Sequence, residues 1–268
     1  MISRLKYGIT GTTYINGVEL KAVGVTQNEN PDLKWESTAM TNLGVDFGLW
    51  NDRVTGTVEF YDKKTSDLIW YYPVSTTKYL YPNLWANVGK ISNKGVEFSL
   101  NVTAVKTDKF KWTTSFNISR NVNKVVSLSN DQFPTFTRIE TAQIGGAGQS
   151  GNPTQVIREG APIGTFYLRQ YAGRNSDGIT LFYKANGETS KVVTVEDFKE
   201  CGNAQPKFMY GWNNNLTYKN FDLSFFFRGV YGNKILNATL AGLNNVNNAS
   251  NNNIPKFSLG EPATDVNS

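Results

Sequence analysis

The sequence predicts an all-β fold of antiparallel, up-and-down strands, and three observations carry that expectation. Apolar and polar residues alternate over stretches of about ten residues. The stretches come in pairs joined by minimal turns, whereas the links between pairs run to tens of residues. Folding each pair at its turn sets apolar against apolar on one face and polar against polar on the other.

In the first pair, residues 38–69, Leu43, Val45, Phe47 and Leu49 alternate with Asn42, Gly44, Asp46 and Gly48. Asn51-Asp52 is a two-residue hairpin signal. Folding there places Leu49 opposite Val54, Val45 opposite Val58 and Leu43 opposite Phe60. Asn42, Asp46, Thr57, Glu59 and Tyr61 collect on the other face.

In the second pair, residues 95–121, an odd-length turn centred on Thr107 sets Val96, Phe98, Leu100 and Val102 opposite Ile118, Phe116, Thr114 and Trp112. Glu97, Ser99, Asn101, Thr113, Ser115 and Asn117 form its polar face. The third pair turns at Lys219-Asn220. Tyr218 then meets Phe221, Leu216 meets Leu223, Trp212 meets Phe227 and Phe208 meets Tyr231. Asn213, Asn215, Thr217, Asp222, Ser224 and Arg228 lie opposite, with Phe226 as the exception.

A ten-residue ribbon tilted near 45° spans roughly 23 Å. That matches the apolar band of an outer-membrane barrel, about 25 Å tall with aromatic girdles at both edges. The expected architecture is therefore an antiparallel up-and-down transmembrane β-barrel. Val45, Phe47, Phe98, Phe116, Phe225 and Phe227 would face lipid, and the polar faces a wet lumen. The tight turns would face the periplasm, and loops around 70–94, 128–162 and 232–268 would face outward. An even number of strands must separate the outward strand from Phe110 and the inward strand from Lys207. The candidates are "IGTFYLRQYAG" from Ile163, "GITLFYK" from Gly178 and "TRIETAQI" from Thr137. The alternative is a soluble or surface-exposed β-sandwich glycan-binding domain, which alternates in the same way. Strand length and the uneven loops argue against it.

Hydrophobic content is 39%, aromatics reach 13%, and no stretch approaches the ~18 apolar residues of a spanning helix. No apolar segment of a signal peptide follows Met1, and the chain enters as if mid-strand, which favours a piece of something larger. There is no histidine, which removes Ser-His-Asp and Cys-His catalysis and His metal sites. The single cysteine, Cys201, has no internal disulfide partner. The net charge of +5 comes from scattered basic residues and carries no nucleic-acid motif.

Four stretches closely resemble the C-terminal part of SusC/RagA-type TonB-dependent receptors of the Bacteroidetes. They are "NPDLKWESTAMTNLGVDFGLWNDRVTGTVEFYDKKTSDLI", "NVGKISNKGVEFSLN", "REGAPIGTFY" and "PKFMYGWNNNLTYKNFDLSFFFRGVYGN". Their order and spacing match, and the resemblance runs from about "LKYGITGT" onward. It implies an outer-membrane barrel of about 22 strands with an internal plug. Such receptors import oligosaccharides or peptides with energy relayed by TonB, under a SusD-like surface lipoprotein. On that reading residues 1–268 are a partial TonB-dependent receptor β-barrel of about six to eight strands, too few to close. Signal peptide, plug domain and final strands are missing, and two sheet edges are expected to be open. The acidic stretch many members carry before "PKF" lacks calcium-loop spacing here, so no metal and no cofactor are expected.

Candidate contacts divide into two groups. Asp46, Glu59, Glu97, Asn101, Asn213 and Arg228 would line the lumen, either touching substrate or plug or simply solvated. Trp70, Tyr71, Tyr72, Tyr79, Tyr81 and Trp85 crowd one expected loop, where aromatic faces suit sugar stacking or burial under a partner. Girdle and loop packing is the competing use of those rings. "GGAGQSG" from Gly145 lacks the Lys-Ser/Thr of a phosphate loop, and Asn244–Asn253 reads as a surface loop. No catalytic constellation is visible, so an enzyme is not expected.

Overall fold

The computed structural model describes residues 3–130, 133, 138–145, 151–177, 179–243 and 253–256. The "GGAGQSG" stretch and the Asn-rich run lie largely outside the described residues, as do Thr137 and Gly178. Strands β1 (Lys6–Ile15) and β2 (Val18–Gln27) form a separate hairpin. Its turn is Asn16-Gly17, with φ of 52° and 79°. Both angles are left-handed, as the favoured two-residue hairpin turn requires.

Strands β3 (Ser37–Leu49), β4 (Val54–Pro73), β5 (Asn83–Lys106) and β6 (Phe110–Ser127) follow as an antiparallel meander. Seven short strands come next: β7 (Arg138–Gln143), β8 (Pro153–Arg158), β9 (Thr165–Leu168), β10 (Tyr171–Arg174), β11 (Thr180–Tyr183), β12 (Thr189–Ser190) and β13 (Lys199–Asn203). The long hairpin β14 (Phe208–Tyr218) and β15 (Phe221–Tyr231) returns to the meander, and a short helix α1 (Ala238–Leu243) follows. The principal sheet has six strands in the order β15-β14-β6-β5-β4-β3. It is not closed, and β15 and β3 are its open edges.

All expected pairs of the first and third hairpins are present, including Leu49–Val54, Leu43–Phe60, Trp212–Phe227 and Phe208–Tyr231. The second hairpin differs. Val96 pairs with Arg120, Phe98 with Ile118 and Leu100 with Phe116, two residues away from the expected register. The turn, not the pattern, decides this. Thr107 N–H donates to the Phe110 carbonyl at 2.8 Å, and Phe110 N–H donates to Thr107 Oγ1 at 3.0 Å. Asp108-Lys109 is thus the loop, and a bulge between Thr103 and Val105 takes up the extra residue. A two-residue slip keeps every side chain on its face, so patterning cannot detect it.

A second correction concerns residues 128–206. Among the described residues no membrane-length strand lies there. β14 pairs directly with β6, from Tyr218–Phe110 to Met209–Ser119. Zero is the even number that the strand directions demanded. The three candidate stretches supply only β7, β9, most of β10 and β11, each six residues or fewer, in two small sheets. The middle of this excursion is tied to β6: Val125 N–H donates to the Ala161 carbonyl and Gly160 N–H to the Val125 carbonyl, both at 2.9 Å.

The pairing stacks the apolar residues in continuous rows across the sheet. One row runs Phe47, Gly56, Leu100, Phe116, Trp212, Phe227; the next runs Val45, Val58, Phe98, Ile118, Tyr210, Gly229. Phe47 lies over Gly56 and Tyr210 over Gly229, so a side chain at either glycine would overlap the ring. Leu43, Val45, Phe60, Trp212, Leu223 and Phe227 remain exposed, with no second layer upon them. A β-sandwich would cover such a face.

Candidate functional site

The opposite face is a wall of amides, hydroxyls and a few charges. Its rows follow from the same pairing: Asp46, Thr57, Ser99, Asn117, Gly211, Arg228 and, two residues toward the tight turns, Gly48, Thr55, Asn101, Ser115, Asn213, Phe226. Thr57 donates its hydroxyl to Asp46 at 2.6 Å. Glu59 and Glu97 are directly paired, so two carboxylates stand side by side. Asn121 and Asn123 both donate to Asn93 Oδ1, at 3.2 and 2.9 Å, and Tyr61 donates to Asn121 at 3.1 Å. Phe226 is 60% exposed and is the one large apolar side chain of that row. Such a wall can hydrogen-bond hydroxyls and peptide groups.

The strands run far past the apolar rows. β4 has 20 residues and β5 has 24, roughly 66 and 80 Å along the strand. The expected loop at 70–94 is therefore mostly strand, and only residues 74–82 connect. Strand alternation then sorts the six aromatics by face. Tyr72 is 2% exposed and packs with Leu84, Ala86, Val88 and Phe133; its hydroxyl donates to the Phe133 carbonyl at 3.2 Å. Tyr79 packs against that cluster from the connection. Trp70 is 39% exposed. On the other face Tyr71 pairs directly with Trp85, ring centroids 4.8 Å apart. Tyr81 stands against Tyr71. Burial, and then the neighbouring Tyr81, raise the Tyr71 phenol above its ordinary value.

Three asparagines hold this end rigid, and sequence reasoning missed them. Asn28 is 4% exposed. Its amide donates to the carbonyls of Tyr81 and Asn83 at 2.5 and 2.8 Å and accepts from Tyr81 N–H at 2.9 Å. Asn30 donates to the Trp85 carbonyl at 2.8 Å. Asn87 clasps both backbone groups of Lys34 at 2.9 Å and also donates to the Asp67 carbonyl at 2.7 Å. The segment between β2 and β3 is thereby laced along the far hairpin. Its only sequence signal was an Asn-rich "NENPD" (Asn28–Asp32), which carries no information about partners some 50 residues away.

Among the described residues no group of His, Cys, Asp or Glu is placed to hold a metal ion. Cys201 is exposed. No helix is long and apolar enough to cross a membrane, which says nothing of a β-barrel.

An antiparallel sheet with one continuous, uncovered apolar face and one amide-rich polar face is a stretch of β-barrel wall. The chain belongs to the TonB dependent receptor-like, beta-barrel family, whose model matches residues 7–260. It is 33% identical over 255 residues to TonB-dependent receptor P3 of Formosa agariphila, covering 88% of this chain and 24% of that protein. It is 29% identical over 264 residues to TonB-dependent receptor SusC of Bacteroides thetaiotaomicron, covering 93% and 25%. Its fold is similar to a chain in a structure of the RagAB peptide transporter, with a TM-score of 0.73 at 21% identity over 91% of this chain and 26% of that one. The SusC/RagA resemblance is thereby borne out. The chain spans about a quarter of the length of the curated relatives it matches.

Proposed function

We propose that this chain forms part of the barrel wall of an outer-membrane receptor that imports an oligosaccharide or peptide. The observation that carries this reading is the two-sidedness of the six-stranded sheet. Its exposed apolar rows suit lipid, and its Asn/Ser/Thr-rich rows suit a wet lumen through which a polar nutrient passes. The energy would come from TonB through a plug domain in another part of the protein. A SusD-like lipoprotein would cap the far end. Tyr71, Trp85 and Tyr81, backed by the Asn28 and Asn30 clasps, are the proposed contacts with nutrient or cap. Trp70 joins them from the opposite face, while Tyr72 and Tyr79 hold the hairpin beneath.

The complete receptor should be recovered from the outer-membrane fraction, and uptake of labelled oligosaccharide or peptide should stop when the proton gradient is dissipated. Recovery in the soluble fraction, or uptake that ignores the gradient, would overturn the reading.

A further inference from the structure

Four of the scattered basic residues converge on one side of the sheet. At the last apolar row β6 places Arg120, and immediately beyond it, on the same face, β4 places Asp62 and Lys64, β5 places Lys94 and β6 places Lys124. The pairing fixes this. Arg120 shares a row with Val96, Phe60 and Leu43; Lys94 pairs with Asp62 and Val122; Lys64 and Lys124 both pair with Ser92. Lys94 therefore has Lys64, Arg120 and Lys124 as diagonal neighbours, each roughly 7–8 Å away between Cα atoms. Lys94 and Lys64 reach Asp62 at 2.9 and 4.0 Å, and their side chains stay 63% and 68% exposed. Four cations less one carboxylate leave this patch at +3. At the same height the polar face carries only Lys63 among Met40, Asn93 and Asn123.

We propose that this patch binds the phosphate groups of an anionic glycolipid of the outer leaflet. The lipid's acyl chains would lie along the apolar rows below. A soluble phosphate would gain nothing from Phe60 and Val96, whereas an amphiphile uses both halves of the face. Exposed Lys and Arg side chains bind phosphate as mobile point charges and forks, and their attraction for anionic lipid adds residue by residue. The proposal rests on the outer-membrane reading of the apolar face.

The test uses the complete receptor in detergent, bisphosphorylated lipid A as probe, and native mass spectrometry to count retained lipid. Combining Lys64→Ser, Lys94→Ser, Arg120→Ser and Lys124→Ser should lower retention at least about tenfold. Lys94→Ser alone, which guards against misfolding of the combined variant, should lower it about fivefold. Lys63→Ser, on the opposite face, should leave it unchanged. Dephosphorylated lipid A should be retained as weakly by the wild type as intact lipid by the variant. Equal retention by variant and wild type would overturn the proposal. So would an equal loss in Lys63→Ser, or displacement of the lipid by millimolar inorganic phosphate. A receptor that does not enter bilayers would overturn the outer-membrane reading and this proposal with it. One that enters bilayers and retains lipid equally with and without the patch would overturn this proposal alone.

Discussion

The indole N–H of Trp112 on β6 donates to Asn214 Oδ1 on β14 at 3.1 Å, across 102 residues of chain. Asn214 is 0% exposed and stands on the apolar face, level with Val102, Thr114 and Phe225. From the other side Trp212 Nε1 donates to Thr114 Oγ1 at 2.8 Å. These two bonds interlock strands that no turn connects. They fit one register only, whereas apolar packing tolerates a slip of two residues. Asn214→Leu should leave the Trp112 donor buried and unpaired, costing about 1–3 kcal/mol. Trp112→Phe combined with Asn214→Leu should recover part of that loss. A double-mutant cycle on unfolding in detergent or lipid measures it, and strict additivity would mean that the bond does nothing for the junction.

Asn28 acts as a backbone surrogate at the tip of the β4–β5 hairpin. Asn28→Ala should cost about 1–3 kcal/mol and speed amide exchange over residues 74–83. Asn28→Asp should be at least as damaging, because a carboxylate would face the carbonyls of Tyr81 and Asn83. Hydrogen exchange read by mass spectrometry checks both, and unchanged protection of the connection would contradict the clasp.

Asp197 closes the loop after β12. Its carboxylate accepts from Thr194 N–H at 2.9 Å, from Ala185 N–H at 2.9 Å and from the Thr194 hydroxyl at 3.3 Å. Those bonds, the one from Thr194 first, hold its pKa below the ordinary carboxylate value. The stabilisation is therefore complete above the unfolded value near pH 3.9 and is lost as pH falls through the folded one. Proteolysis of residues 184–198 should rise below about pH 4 in the wild type. Asp197→Asn should make it faster at pH 7 and flatten that acid dependence. An identical acid profile in both proteins would remove Asp197 as the cause.

Local turns made two hairpins legible in full. Asn51-Asp52 and Lys219-Asn220 fix both face and register, so Leu49–Val54 and Tyr218–Phe221 could be paired from sequence. Around Thr107 the face was legible and the register was not, because side chains repeat every two residues. The β6–β14 junction left no local trace, since its partners are joined by a long excursion rather than a turn. At Asn16-Gly17 the turn signal is strong, but Gly8, Gly11 and Gly24 and a bulge between Ile9 and Gly11 dilute the alternation around it. The aromatic cluster was legible as a group. Its division into buried Tyr72 and the Tyr71–Trp85 pair was not, because it depends on the residues being strand rather than loop. The basic patch was invisible for a related reason: only cross-strand register brings Lys64, Lys94, Arg120 and Lys124 together.

The central claim is that the apolar rows meet lipid and the opposite rows meet water. Phe116 tests it most directly, because it sits mid-height between Leu100 and Trp212 on an interior strand. Its neighbour Ser115 points the other way, between Asn101 and Asn213. Phe225 is less clean, since it also pairs with Asn214. The measurement is reversible folding of the complete receptor into lipid vesicles, comparing Phe116→Arg with Ser115→Arg. The account predicts a cost of about 2–4 kcal/mol for the first and about 0–1 kcal/mol for the second. Equal costs, or a larger one at Ser115, would contradict it.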